Sequence, residues 1–235
     1  MHAMGERVEG EPGARATRVG IIGGTGALGR GLAVRLAAAG HRVVIGSRDA
    51  DRARQSAPSL PTSMRGELNV GSNLDACDAD LVLLTVPWAA HAATLQQLGD
   101  SIADSVLVDC VNPLGFDAQG PFALPVPEGS ACEQAQQLVP SARVVGAFHH
   151  VSAPKLLDEA AALETDVMVV GDEDVAVQQV IDLADSIDGL RGVHAGRLRN
   201  ARQVEALTAN LIALNRRYRV HSGVRITGLG DRTHS

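Results

Sequence analysis

The sequence predicts an α/β protein of the doubly wound kind, with a mostly parallel sheet between helices and a small C-terminal extension. Three observations carry this. Apolar runs without polar alternation recur, VGII at 19–22, DLVLLTV at 80–86 and SVLVDC at 105–110, as strands covered on both faces require. Stretches with helical spacing separate them. The segment Thr17–Gly31, TRVGIIGGTGALGRG, joins the two patterns directly, an apolar strand entering a helix through a glycine-rich turn.

In chain order, Met1–Ala16 is polar and glycine-rich and reads as a disordered leader at 1–16. After the first strand, Leu28, Leu32, Val34 and Leu36 space out a buried helix that Gly40 stops, and HRVVIG at 41–46 is the second strand. DLVLLTV and SVLVDC follow, each running into a proline, so that Thr85-Val86-Pro87-Trp88 and Val111-Asn112-Pro113-Leu114 lie at the carboxyl edge of the sheet. A helix is expected over Trp88–Leu98, with Pro87 suited to its first turn. Gly115–Gly129, rich in Gly and Pro, reads as a long structureless loop. Strands are then expected at Arg143–Phe148, Asp166–Gly171 and Leu190–Ala195, with a helix at Glu173–Ile187 opened by Asp172. The last element is a helix over Leu198–Tyr218, with Leu198, Ala201, Val204, Leu207, Leu211 and Leu214 on one stripe. That stripe either packs on its own sheet or joins a homodimer contact.

Composition narrows the function. The chain has 235 residues, 45% hydrophobic but only 2% aromatic, so its core is built from Ala, Val, Leu and Ile. A net charge of −6 argues against a grip on nucleic acid or an anionic membrane. Three cysteines without a C-x-x-C pair suit a reducing interior, and the expected location is cytoplasmic. No Ser/His/Asp set and no metal-spaced cluster appears, so no metal and no hydrolytic machinery are expected.

Gly24, Gly26 and Gly29 form G-x-G-x-x-G, the pattern that seats a dinucleotide pyrophosphate on a helix N-terminus. Gly24 is expected to make the tight turn, Gly26 to admit the phosphates and Gly29 to let helix and strand approach. The second strand ends in Ser47 and Arg48, where a chain built for NAD carries an acid. A hydroxyl and a guanidinium suit a 2′-phosphate, so the expected cofactor is NADP(H). Arg52 either adds charge to that phosphate or pairs with a neighbouring aspartate on the surface.

GGTGALGRGLAVRLAAAGH, GSR, TVPW, the FHH segment, and DGLR with HAGRLRNARQVEALTANLIALN together resemble the coenzyme F420:NADP oxidoreductases over about Thr17–Leu229. The same nucleotide domain recurs in membrane metalloreductases. The resemblance implies a Rossmann-type NADP-binding domain at 17–148 and a smaller C-terminal portion at 149–235 that contributes to a deazaflavin site. It implies direct hydride transfer between C4 of NADPH and C5 of coenzyme F420 in a homodimer, with no catalytic acid or base. Thr25, Gly26, Ala27 and Leu28 would hold the pyrophosphate, and Ser47, Arg48 and Arg52 the 2′-phosphate. Trp88 and Ala92 would border the adenosine or ribose side, Leu114 and Ala153 the nicotinamide end, and His149 and Val151 the deazaflavin.

Such chemistry is supplied by the two ring systems, and the protein's task is to hold them face to face. His149 and His150 follow a strand and should point in opposite directions; His149 either bonds the deazaflavin edge, caps backbone carbonyls or simply meets solvent. His91 reads as a surface residue. Arg216, Arg217 and Arg219 either attract the phosphate and glutamates of the F420 tail or complement the helix dipole. The competing functions are another small NADP reductase, acting on a flavin, ferric chelate or imine, and a non-catalytic NADP sensor.

Overall fold

The computed structural model describes residues 16–55, 66–158 and 160–229. The expected leader lies outside them, Ala16 apart. Strand β1 (Arg18–Ile22) leads through the glycine turn to α1 (Ala27–Ala38), and β2 (Arg42–Ser47) and α2 (Ala50–Gln55) follow. After β3 (Glu67–Ser72), β4 (Leu81–Leu84), α3 (His91–Ile102) and β5 (Val106–Asp109), the chain makes a hairpin of β6 (Leu114–Asp117) and β7 (Gly120–Ala123). The remainder is α4 (Ala131–Leu138), β8 (Arg143–Gly146), α5 (Ala153–Leu157), β9 (Thr165–Gly171), α6 (Asp174–Asp185), β10 (Leu190–His194) and α7 (Ala201–Tyr218).

One eight-stranded sheet runs β3-β2-β1-β4-β5-β8-β9-β10. Every pair is parallel except β8 with β9. This is the doubly wound, Rossmann-type sheet expected. Its strand order reverses between β1 and β4, which opens a crevice at the carboxyl edge where such sheets take ligands. The central strands β4, LVLL, and β5, VLVD, are buried throughout because both faces are covered. One core, including Leu32, Leu36, Leu156, Val180 and Leu183, lies under α1, α5 and α6. The other, including Leu95, Ile102, Ala135 and Leu198, lies under α3, α4 and the start of α7.

Three local expectations are corrected. Gly115–Gly129 is not structureless, because Gly120, at φ +122°, turns the chain into the β6–β7 hairpin, which packs on α7. Helix α6 is not opened by Asp172, whose Oδ1 instead accepts the Leu198 amide at 3.2 Å. The tight turn after β1 is made by Gly23, at φ +70°, not by Gly24. Among the described residues no helix is long and apolar enough to cross a membrane.

The segment after α7 is tied to the sheet edge. Asp166, buried on β9, takes Arg191 Nε at 2.8 Å and Nη2 at 2.7 Å, together with the Ile226 amide. Arg191 in turn donates to the carbonyls of Leu229 and Ile226. Burial alone would raise the Asp166 carboxyl, but its bonds to Arg191 and Ile226 outweigh that and hold it below its ordinary range.

Candidate active site

The glycine turn leaves open space in front of the N-terminus of α1. The Gly24 amide donates to Gly46 O at 3.1 Å, which fixes the turn beside the end of β2. A Cβ on Gly29 would stand 2.6 Å from Gly24 Cα and 2.7 Å from Thr85 Oγ1, so this glycine lets helix and strand meet. At Gly26 the same atom would meet nothing nearer than Gly23 O at 3.7 Å. The space there is open. Gly26 is the N-cap of α1 and supplies no side-chain acceptor, and the first turn holds no acid, so its amides and the positive end of the dipole are uncompensated. Thr25, Gly26 and Ala27 are exposed and Leu28 is half-buried at this helix start.

At the end of β2, Ser47 is half-buried and its Oγ accepts the Asp49 amide at 3.2 Å. Arg48 is exposed and forms no ion pair among the described residues. The backbone of Arg52 lies in α2, and its side chain is outside the described structure.

Beyond β4 and β5 a buried polar chain runs across the carboxyl edge. His91, read from sequence as a surface residue, is fully buried. Its Nε2 lies 2.7 Å from Asp109 Oδ2 and its Nδ1 lies 2.8 Å from Gln134 Oε1. Two acceptors require two donors, the pattern of an imidazolium. Burial pulls the His91 pKa down, but the bond to Asp109 and its charge outweigh this and raise it. The indole of Trp88 stands over this ring, with centroids 5.3 Å apart, and Ala92 follows on the first turn of α3. Asp109 Oδ1 accepts the Val111 amide at 2.9 Å and so shapes the exit from β5. The next residue, Asn112, donates through Nδ2 to His149 O at 2.8 Å.

The segment after β8 is the other wall. Phe148 is buried at φ +61°, a left-handed conformation that costs a non-glycine residue about 1 kcal/mol. It is held by two bonds to the next carbonyl, from Asn112 and, at 2.9 Å, from Thr208 Oγ1 on α7. His149 and His150 are 3% and 4% exposed, so neither meets solvent freely. Burial lowers each to about 4 and leaves both neutral, with their Nδ1 atoms unpartnered.

Beneath His149 lie Cys132 and Glu205, whose potential ligand atoms fall within 4.8 Å of one another and of the histidine. The sequence, with these residues far apart, gave no sign of this cluster. Both Glu205 oxygens are already engaged by the Ala131 and Cys132 amides at the start of α4. Burial pushes Glu205 up to about 7 and the Cys132 thiol well above its ordinary range. The cluster is therefore buried and already hydrogen-bonded within the protein.

His149, Val151 and Ala153 line a cleft of about 570 Å³ closed on the far side by Thr208, Leu211 and Ile212 of α7 and by Val220–Ser222. Trp88, Ala92 and Leu114 are not among its lining residues. Leu114 instead begins the hairpin, half-buried. Helix α5, which opens with Ala153, is locked to α1, because Gly31 leaves room for Leu156 and Arg35 donates to the carbonyls of Lys155, Leu156 and Asp158. The glycine turn and the cleft are thus joined through one pair of helices.

Residues 18–113 match the family model described as NADP oxidoreductase, coenzyme F420-dependent. The chain is 40% identical to the F420-dependent NADP reductase of Methanothermobacter thermautotrophicus over 223 residues, 91% of this chain and 96% of that protein. It is 33% identical to the F420-dependent NADP reductase of Methanocaldococcus jannaschii, over 90% of this chain and 99% of that one. A solved structure from Arthrobacter sp. FB24, proposed to be an F420-dependent NADP reductase, superposes with a TM-score of 0.76 at 29% identity, covering 90% of this chain and 99% of its own.

Proposed function

The chain belongs to the F420-dependent NADP reductase family, and from this premise we propose how its residues carry out that reaction. It is an NADP-dependent oxidoreductase, and the two coenzymes exchange a hydride between nicotinamide C4 and deazaflavin C5. The observation that carries the reading is the uncompensated N-terminus of α1, with open space at Gly26 and no acid in the first turn, next to Ser47 and Arg48. In this reading Thr25, Gly26, Ala27 and Leu28 hold the pyrophosphate, and Ser47, Arg48 and Arg52 hold the 2′-phosphate. Trp88 and Ala92 border the ribose side, Leu114 and Ala153 close the nicotinamide end, and His149 and Val151 face the deazaflavin.

The protein's own contribution is positioning, which is worth several kcal/mol when two rings must meet at contact distance. The bonds from Asn112 and Thr208 to His149 O fix the wall of the ring cleft. The His91–Asp109 pair fixes the exit of β5 that carries Asn112. A neutral His149 offers a hydrogen bond to the ring without competing for the hydride's charge. The portion 17–148 is the NADP domain and 149–235 completes the deazaflavin site. We further propose a cytoplasmic homodimer with no nucleic-acid partner, the latter in keeping with the net charge of −6.

Purified protein mixed with NADPH and oxidised coenzyme F420 is expected to remove the visible absorbance of the deazaflavin. NADPH consumption with a flavin, ferric chelate or imine, and none with F420, would overturn the proposal.

A further inference from the structure

The mouth of the ring cleft has a charge that the floor does not require. Its lining contains no aspartate or glutamate, although the whole chain carries a net charge of −6. Arg216, Arg219 and His221 stand at this mouth, above an apolar floor that includes Val151, Ala153 and Leu211. Neither arginine forms an ion pair among the described residues. Arg217, between them in sequence, is not part of the lining and lies against Tyr218 instead.

The Arg216 side chain is held in place, and the backbone of Arg219 is fixed at the helix end. The Arg216 guanidinium sits over the Phe116 ring of the hairpin, 5.8 Å from its centroid, which leaves its edge free for hydrogen bonds. Arg219 is the C-cap of α7 at φ +54°, ψ 47°, a left-handed position where glycine or asparagine is usual. The chain keeps an arginine there at a steric cost. Asn215 Oδ1 then accepts both the amide and the hydroxyl of Ser222 at 2.7 Å, folding residues 219–222 over the cleft.

We propose that Arg216 and Arg219 form an anion-binding rim that reads a phosphate- or carboxylate-bearing tail on the ring substrate seated below them. This rests on the cleft being the deazaflavin site. An apolar floor takes the planar ring, and two unpaired guanidinium groups select substrates whose side chain is anionic, by bidentate bonds and by steering.

The test compares coenzyme F420 with its tail-less riboside, 8-hydroxy-5-deazaflavin without phosphate or glutamates. Binding is measured by deazaflavin fluorescence and turnover with NADPH. The wild type is expected to bind the tailed form at least about tenfold more tightly, and Arg216→Ala/Arg219→Ala to bring the ratio of the two dissociation constants close to one. Should the double variant fold poorly, the salt dependence of the wild type serves alone, since the preference must shrink as ionic strength rises. A wild-type ratio near one, a ratio independent of salt, or one unchanged in the double variant would overturn the rim. Tail-dependent binding without hydride transfer would leave the rim standing and remove the functional reading, whereas equal turnover of both forms would do the reverse.

Discussion

Replacing Gly26 with alanine separates binding from folding. Its backbone, at φ −69° and ψ 166°, is open to any residue, and a methyl there meets no atom closer than 3.7 Å. Alanine is a poorer N-cap than glycine, but it also restricts the unfolded chain, and the two effects oppose each other. Stability should therefore change by no more than about 1 kcal/mol. The methyl does occupy the space into which a pyrophosphate must come to reach the first-turn amides. Loss of one charge-assisted bond, about 1.5–3 kcal/mol, weakens NADPH by roughly 10- to 150-fold. Gly29→Ala is the contrast, because its methyl would press on Gly24 Cα at 2.6 Å and on Thr85 Oγ1 at 2.7 Å. That overpacking should cost about 1–3 kcal/mol of stability. Thermal melting and titration of NADPH fluorescence measure both quantities. Wild-type NADPH affinity in Gly26→Ala, or a loss of stability equal to that of Gly29→Ala, would refute the reasoning.

Further outcomes follow from the same geometry. Arg48→Ala should weaken NADPH by about 2 kcal/mol more than NADH, the value of a lost charged hydrogen bond; equal losses in parallel titrations would show that Arg48 does not read the 2′-phosphate. Glu205 is raised from 4.5 to about 7 in the fold, so the stability it contributes is complete below pH 4.5 and is lost as pH rises through about 7. The loss amounts to roughly 3 kcal/mol. Glu205→Gln should remove this pH dependence, and a constant difference in melting between variant and wild type from pH 4.5 to 8 would contradict it. Asp166 has a lowered pKa, so its contribution is present above about 3.8 and fades as pH falls below that. Asp166→Asn should release residues 224–229, cost about 3–5 kcal/mol as a broken buried ion pair, and raise the deazaflavin KM. Unchanged hydrogen exchange at the Ile226 amide would show that the segment does not depend on it.

Much of the fold is legible because it is local. The strand-turn-helix at 18–38 and the long helix ending at Tyr218 are set by apolar spacing and glycine, within one window of sequence. Strand β3 is not, because ELNVGS forms the sheet edge and is only partly buried, leaving no apolar run to see. Helix α4 does carry a sequence signal, an S-x-x-E capping pattern: Ser130 Oγ accepts the Glu133 amide at 3.0 Å and its hydroxyl donates to Glu133 Oε2. The hairpin at 114–123 hides behind glycines and prolines that suggest a loop. The burial of His91 is not legible in its own helix, because the acceptors that hold it, Asp109 and Gln134, come from other elements. At Phe148 the backbone leaves the strand for a left-handed turn, so strand alternation no longer sets the two histidines; His149 Nε2 lies 3.9 Å from Cys132 Sγ and His150 Nε2 accepts the Met168 amide at 3.4 Å. The resting place of residues 224–229 depends on Asp166 and Arg191, which no pattern in the tail itself announces.

The central claim is that the protein brings two rings together for direct hydride transfer. It is tested most directly with NADPH carrying deuterium at one or the other C4 position and oxidised coenzyme F420 in ordinary water. Direct transfer predicts that one of the two labels appears at C5 of the reduced deazaflavin, with none diluted by solvent. Hydrogen of solvent origin at C5 with both labels would contradict it.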